Sequence, residues 1–267
     1  MQTLNDVGSL VIGGTNILAI IEDVQWQAEG EFDEIKSPVR FREAGQRMKR
    51  NAQMTVPLST VKSGANRVSH MDLTGSTLAT LDCKPELSGI TLRVTNPINP
   101  VPNVGEQFRR YQCDPGGSIA ADLDLEVADS ASNALALLAL LESDDPDDVA
   151  ALLALVLNGG NITVPGHMRR GSHNVAGRQK VTIGFVGSDP GGVAYPTAPV
   201  GTSTLLEKAI NAPKTPLAFT FASHTTEGLA RTGYLLIQSA EVRIEDARIV
   251  RESYSFRVTG DWGTALN

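Results

Sequence analysis

A mainly β fold with a helical hairpin insertion and one further short helix is what this sequence predicts, on three observations. Residues 234–260 hold two runs in which apolar and polar side chains alternate, residues 17–32 hold a third, and a Leu/Ala-rich stretch at 129–160 is the one clearly helical region. A period of two marks a strand with one buried face, whereas dense Leu and Ala favour helix. With 267 residues, 41% hydrophobic and 20% charged, the chain has enough apolar material for a sizeable core, and it reads as a single domain over 1–267.

In chain order, the first strong element is 17–32. Val24, Trp26, Ala28 and Phe32 alternate there with Asp23, Gln25, Gln27, Glu29 and Glu31, giving an apolar side and a strongly acidic one. The acidic side is either a solvated sheet face or the wall of a channel. Residues 39–50 follow, with Arg40, Arg42, Arg47, Lys49 and Arg50 against the one acid Glu43, and read as a basic loop. That loop is solvated, or it meets an acidic face of a neighbouring subunit. As a nucleic-acid patch it is weak, because a lone Phe supplies the aromatic interleaving and the net charge of −7 opposes phosphate.

Strands are expected at 54–56, 67–73 and 89–95, after which Pro97, Pro100 and Pro102 predict a loop or linker. Residues 103–128 give no assignment beyond a turn at 114–117. In 129–160, Ser130 or Ser132 caps a first helix that runs to Leu141. Asp144, Asp145, Pro146, Asp147 and Asp148 suit the start of a second helix, and Asn158-Gly159-Gly160 suits its end. Strands at 161–164 and 179–186 flank a Gly-containing loop, His167 to His173, and 189–201 reads as a surface loop. A helix over 202–211, with Thr204 and Glu207 at capping-box spacing, leads to an apolar-aromatic strand at 216–222.

The closing hairpin turns at 246–250. Leu236, Ala240, Val242 and Ile244 alternate with Ser239, Glu241, Arg243 and Glu245, and Val250, Tyr254, Phe256 and Val258 repeat the pattern on the return. Setting 246 opposite 250 places Glu245 across from Arg251 and Ala240 across from Phe256.

Candidate chemistry is sparse. Cys83 and Cys113 stand thirty positions apart with no zinc-ligand spacing, and read as reduced thiols, with a disulfide open only if the fold brings them together. His167 and His173 have no close third donor and flank two arginines, so a metal is not expected. No nucleophile elbow, phosphate loop, dinucleotide fingerprint or His-Glu-x-x-His is present, so no catalytic or cofactor-binding residue is named and no enzyme is expected. The N-terminal residues lack the basic-then-apolar pattern of a secretory signal, and the apolar runs at 134–141 and 149–157 fall short of the roughly 20 residues a membrane span needs, so no membrane partner is expected.

The order of short helix, apolar-aromatic strand and long closing hairpin, ending on an acidic turn, Ser253-Tyr254-Ser255-Phe256 and Gly260, resembles the phage major tail tube proteins. The resemblance covers residues 200–262 and, more loosely, 10–35. It implies a β-sandwich or barrel of tail-tube type that forms homohexameric rings, stacked into a hollow tube that conducts DNA from head to host. It also implies the chain itself, the tail tip or baseplate, a terminator and a sheath as partners, DNA as passing cargo, and a place in the virion tail after assembly in the host cytoplasm. On that reading Asp23, Gln25, Glu29, Glu31, Glu241 and Glu245 line the lumen, while Arg40, Arg42, Arg47, Lys49 and Arg50 make contacts between subunits. A closing hairpin that needs a neighbour predicts that cutting after Ala247 abolishes assembly. The alternatives are a single-ring tail component, such as a distal tail or terminator protein, and a soluble β-rich binding module or hydrolase.

Overall fold

The structure, a computed structural model, describes residues 9–17, 24–34, 46–59, 76–83, 86–102, 108–115, 117–145, 147–157, 160–188, 203–222, 229–245 and 249–266. In chain order the elements are β1 (Ser9–Ile12), β2 (Thr15–Asn16), β3 (Gln25–Glu34), β4 (Gln46–Ser59), β5 (Thr77–Leu78), β6 (Leu81–Asp82), β7 (Leu87–Thr95), β8 (Ile98–Val101), β9 (Arg110–Cys113) and β10 (Ser118–Glu126). Then come α1 (Asn133–Leu141), β11 (Ala150–Leu157), β12 (Gly160–Asn174), β13 (Lys180–Gly187), α2 (Ser203–Asn211), β14 (Leu217–Ala222), β15 (Leu229–Glu245), β16 (Ile249–Val258) and β17 (Gly263–Leu266). The fold is mainly β, as the alternating runs predict. Fifteen strands form one large sheet, in the order β2-β1-β14-β15-β7-β10-β13-β12-β11-β5-β6, with β16 joining β15 to β4, β4 pairing β3, and β17 beside β15. The expected strand at 67–73 and loop at 189–201 lie outside the described residues.

The closing hairpin is the centre of this sheet rather than its rim. β16 pairs β15 on one edge and β4 on the other, and Tyr254, Phe256 and Val258 are fully buried. Removing residues beyond Ala247 would therefore take out an interior strand and its core side chains, so the truncation reports on folding before it reports on assembly. The register also differs from the expected one. Glu245 lies opposite Ile249, Arg243 opposite Arg251 and Ala240 opposite Tyr254, with a bulge between Ile237 and Ser239. A shift of two residues keeps every side chain on its face, so the alternation alone does not select between the two registers. On its other edge β15 pairs β7, where Glu241 stands opposite Arg93 and the two form an ion pair.

The helical hairpin expected at 129–160 is half right: α1 forms, but residues 150–157 are strand β11. Leu and Ala favour helix only weakly, and here tertiary pairing overrides them. Leu153 and Leu155 point into the core, Leu152 points out, and the strand pairs Ile162 and Val164 of β12 and Leu78 of β5. Leu157 stands opposite Gly160 at the end of this pairing, and Asn158 and Gly159, expected to end a helix, lie outside the described residues. The aspartates before β11 make turns instead of a helix start: Asp147 N–H donates to Asp145 Oδ1 and Ala150 N–H to Asp147 O.

At the N-terminus of α1, Ser132 caps through its hydroxyl, as its position predicts, but a remote carboxylate does more. Glu86 accepts from Ser132 Oγ at 2.7 Å, Asn133 N–H at 3.0 Å and Ala134 N–H at 2.7 Å. A buried negative charge on those free donors satisfies them and complements the helix dipole. α1 then lies on β12 so closely that a Cβ at Gly171 would come 2.6 Å from Leu141 Cδ2. Two expected loops are also strands. Pro97, Pro100 and Pro102 flank or lie in β8, which among the described strands pairs only β9, so their missing N–H groups cost little. His167 to His173 lies within β12, whose length is set by pairing β11 and then β13. The elements expected at 89–95, 161–164, 179–186, 202–211 and 216–222 are present as β7, β12, β13, α2 and β14.

Both cysteines are free and buried. Burial pushes the Cys83 thiol up from its ordinary 9.0 to about 11, against the pull of a backbone hydrogen bond. Two predictions follow from these anchors. Glu86→Gln, which keeps the shape but removes the charge, destabilises the fold by about 1–3 kcal/mol in urea titration. For Cys83, the folded thiol stays protonated where the unfolded one ionises, so its contribution is complete below about pH 9 and fades as pH rises towards about 11. The stability difference between the native chain and Cys83→Ala therefore shrinks by roughly 2–3 kcal/mol across that interval, read from unfolding midpoints at each pH.

Candidate assembly surface

Of the residues expected to line a lumen, Gln25 and Glu29 are exposed on β3 and Glu241 is half exposed on β15. Glu31 lies in β3 opposite Lys49, and Glu245 ends β15 opposite Gly89 of β7. Asp23 lies outside the described residues, as do Arg40 and Arg42. Arg47, Lys49 and Arg50 are not on a loop: they belong to β4, where they stand opposite Asp33, Glu31 and Gly30 of β3. Ala52, Met54 and Val56 of the same strand are fully buried and fix its register, and the charged residues continue that ladder beyond the apolar stretch. In this ladder the basic segment therefore meets the acidic strand within one chain.

Register shows which candidates share a face, because residues directly opposite in an antiparallel pair point the same way. Gln25 stands opposite Thr55, Thr55 opposite Ser255, and Ser255 opposite Ser239, two residues before Glu241. Gln25, Glu29 and Glu241 thus belong to one polar face, running from β3 through β4, β16 and β15 to β7, β10, β13 and β12. The opposite face carries the core, and the sheet curls enough that Trp26 of β3 meets Phe219 of β14, with ring centroids 5.7 Å apart.

Across the middle of the polar face runs a ladder of alternating charge. Glu241 Oε2 accepts from Arg93 Nε at 3.1 Å, Arg93 Nη1 donates to Asp122 Oδ2 at 2.6 Å, and Asp122 Oδ1 accepts from Arg170 Nη2 at 2.7 Å. The last link spans β13, since Arg170 and Asp122 both stand opposite Gly184. A Cβ there would lie 2.5 Å from Arg170 Cγ and 2.7 Å from its Nε, so only glycine leaves the arginine its path. Burial alone would raise the Asp122 carboxyl, but hydrogen bonds from Arg170 and Arg93 outweigh it and hold the group below the usual carboxylate range.

β12 carries a bulge at this point. Met168 pairs Phe185 and Arg170 pairs Gly184, leaving Arg169 as the extra residue. Arg169 and Arg170 both line a hollow of about 310 Å³ with Arg93, Asp122 and Gly184. Of these residues the sequence marks only Arg169 and Arg170, as the pair that disfavours a metal at the flanking histidines. The alternation of Ile119, Ala121, Leu123 and Leu125 with Asp122, Asp124 and Glu126 marks β10 in the sequence, but its meeting with Arg93 and Arg170 depends on pairings 29 and 48 residues apart. Among the described residues no helix is long and apolar enough to cross a membrane, and no group of three or more His, Cys, Asp or Glu side chains is placed to hold a metal ion.

The ladder makes a non-additive prediction. Gly184→Ala displaces Arg170 and destabilises the native chain by about 1 kcal/mol, whereas in an Arg170→Ala background the same change is neutral or stabilises by about 0.5 kcal/mol, as measured in a double-mutant unfolding cycle.

In comparisons with known proteins, the chain matches no family model and no curated sequence.

Proposed function

We propose that the chain is a structural subunit that assembles with copies of itself into rings, and that the rings stack as the tube of a phage tail through which DNA passes. The observation that carries this reading is the succession α2, β14, β15 and β16, a short helix, an apolar-aromatic strand and a long closing hairpin, which resembles the end of the major tail tube proteins. A second feature supports self-assembly. Among the described residues β3 pairs only β4, so over its ten residues the other edge has no described strand partner. Free backbone donors and acceptors in a row are a template for a strand from another copy, and a head-to-tail contact that closes by rotation makes a ring.

On this reading the polar face with Gln25, Glu29 and Glu241 borders the channel, and Asp23, Glu31 and Glu245 extend it. Carboxylates there repel phosphate, so DNA passes without sticking by counterion release. Arg47, Lys49 and Arg50 act at the boundary between copies, next to that edge of β3.

Negative-stain electron microscopy of the purified chain over a concentration series tests the reading. Hollow tubes of stacked rings are the expected result, and isolated rings or dispersed small particles at every concentration overturn it. Because both native cysteines are buried, Gln25→Cys and Glu29→Cys provide selective labelling sites in assembled tubes. Gold particles confined to the bore are expected, and decoration of the outer wall rejects the lumen assignment while leaving the tube intact.

A further inference from the structure

We propose that the hollow at the β12 bulge is an oxyanion site that takes a phosphate group, held by Arg169 with Arg93 and Arg170. This goes beyond the assembly reading and does not rest on it.

Consecutive residues on a regular strand point to opposite faces, so two adjacent arginines would be divided between the two faces of the sheet. The bulge undoes that division. With Arg169 unpaired in the ladder, it and Arg170 both border the same hollow, and Arg93 reaches it from β7. Gly184 forms the floor, and the absence of a Cβ there lets Arg170 lie across β13.

Asp122 is the brace. Each of its oxygens takes one guanidinium, which fixes Arg93 and Arg170 without using up their donors. A guanidinium carries five N–H groups, of which Arg93 commits one on Nη1 and the one on Nε, and Arg170 one on Nη2. Arg169 has no ion pair among the described residues. Three cations, Arg93, Arg169 and Arg170, against two anions, Asp122 and Glu241, leave the cluster with one positive charge on a chain whose net charge is −7. A tetrahedral, multiply charged oxyanion accepts several hydrogen bonds from different directions, which three separate guanidinium planes supply and a flat carboxylate uses less fully. The hollow, about 310 Å³ and open to solvent, has room for the group that bears the phosphate as well. Binding is modest in strength, because the arginines are exposed and Asp122 opposes an incoming anion.

Titration of the full chain with sodium pyrophosphate, at ionic strength held constant with sodium chloride, tests the site by calorimetry. Saturable binding is expected, weakened about tenfold in Arg169→Ala, whose side chain takes no part in the ladder. Arg169→Lys, which keeps the charge and loses the planar fork, is expected to fall between the two. Binding no stronger than that of chloride overturns the proposal, as does an Arg169→Ala chain that binds pyrophosphate as tightly as the native one. A single-stranded thymidine oligonucleotide separates the sources of phosphate. Displacement of pyrophosphate by the oligonucleotide, lost in Arg169→Ala, assigns the site to a nucleic-acid backbone. Pyrophosphate binding that the oligonucleotide leaves unchanged assigns it to a small phosphate compound. The assembly reading fails or stands separately, on whether rings and tubes form.

Discussion

Seventeen residues of continuous strand, β15, have backbone partners on both edges, and those partners change along its length. Its first half pairs β14 and β17, and its second half pairs β7 and β16. Two leaves of sheet therefore share one strand, and the chain must turn from one leaf to the other inside it. The turn falls where Leu235, Leu236 and Ile237 are buried in succession, so simple alternation cannot hold there, and the bulge before Ser239 restores it. The carbonyls of the irregular stretch are satisfied by Asn96, whose backbone N–H donates to Gln238 O and whose side-chain amide donates to Ile237 O and to Ala209 O in α2. One buried amide thus ties the helix, β7 and the bulge together. Without that fixed passage neither the core of the first leaf nor the polar face of the second would have a defined position.

Magnitudes separate what holds this fold from what decorates it. Each buried Leu, Ile, Val, Met or Phe contributes roughly 1.5–3 kcal/mol through burial, and one cluster gathers such side chains from β1, β4, β7, β10, β13, β14, β15 and β16. Exposed ion pairs contribute about 0–1 kcal/mol each, and the arginines of the ladder are 46% and 71% exposed. A bulge in β12 and a glycine in the middle of β13 both work against regular pairing, and the ion pairs they permit return little stability. The arrangement is better accounted for by what three guanidinium groups can bind together than by what they add to the fold.

How much of this is legible in the sequence depends on the range of the interactions involved. The strands β7, β13, β14, β15 and β16 and the helix α2 are written as local periodicity, since each needs only one buried face. β11 is not, because a short Leu/Ala run satisfies either period, and only Leu78 of β5 and Ile162 and Val164 of β12 decide in favour of strand. The basic segment at 46–50 misleads for a related reason. Arg47 and Lys49 stand opposite Asp33 and Glu31 in a strand pair, and a sequence read one segment at a time assigns cations without visible apolar partners to loops. Glu86, 46 residues from the helix it caps, and Arg170, 48 residues from Asp122, carry no local signature at all.

The mixed charge of the polar face bears on how a channel of such subunits would treat DNA. Neighbouring strands lie about 5 Å apart, so the ladder reverses sign over a distance shorter than the roughly 8 Å screening length at physiological salt. Beyond that length the alternating charges largely cancel, and a duplex along the axis of a wide bore responds only to the small summed charge of the wall. Only phosphate in contact with the wall meets individual arginines. A wall built this way would act weakly at a distance and hold weakly at contact, and Asp122 and Glu241, each placed against Arg93, set how weak that hold is. A tube that must release its cargo in one passage needs both terms small, and a ladder in which every step of positive charge is answered by a neighbouring negative one keeps the contact term small without removing the shape that recognises a phosphate.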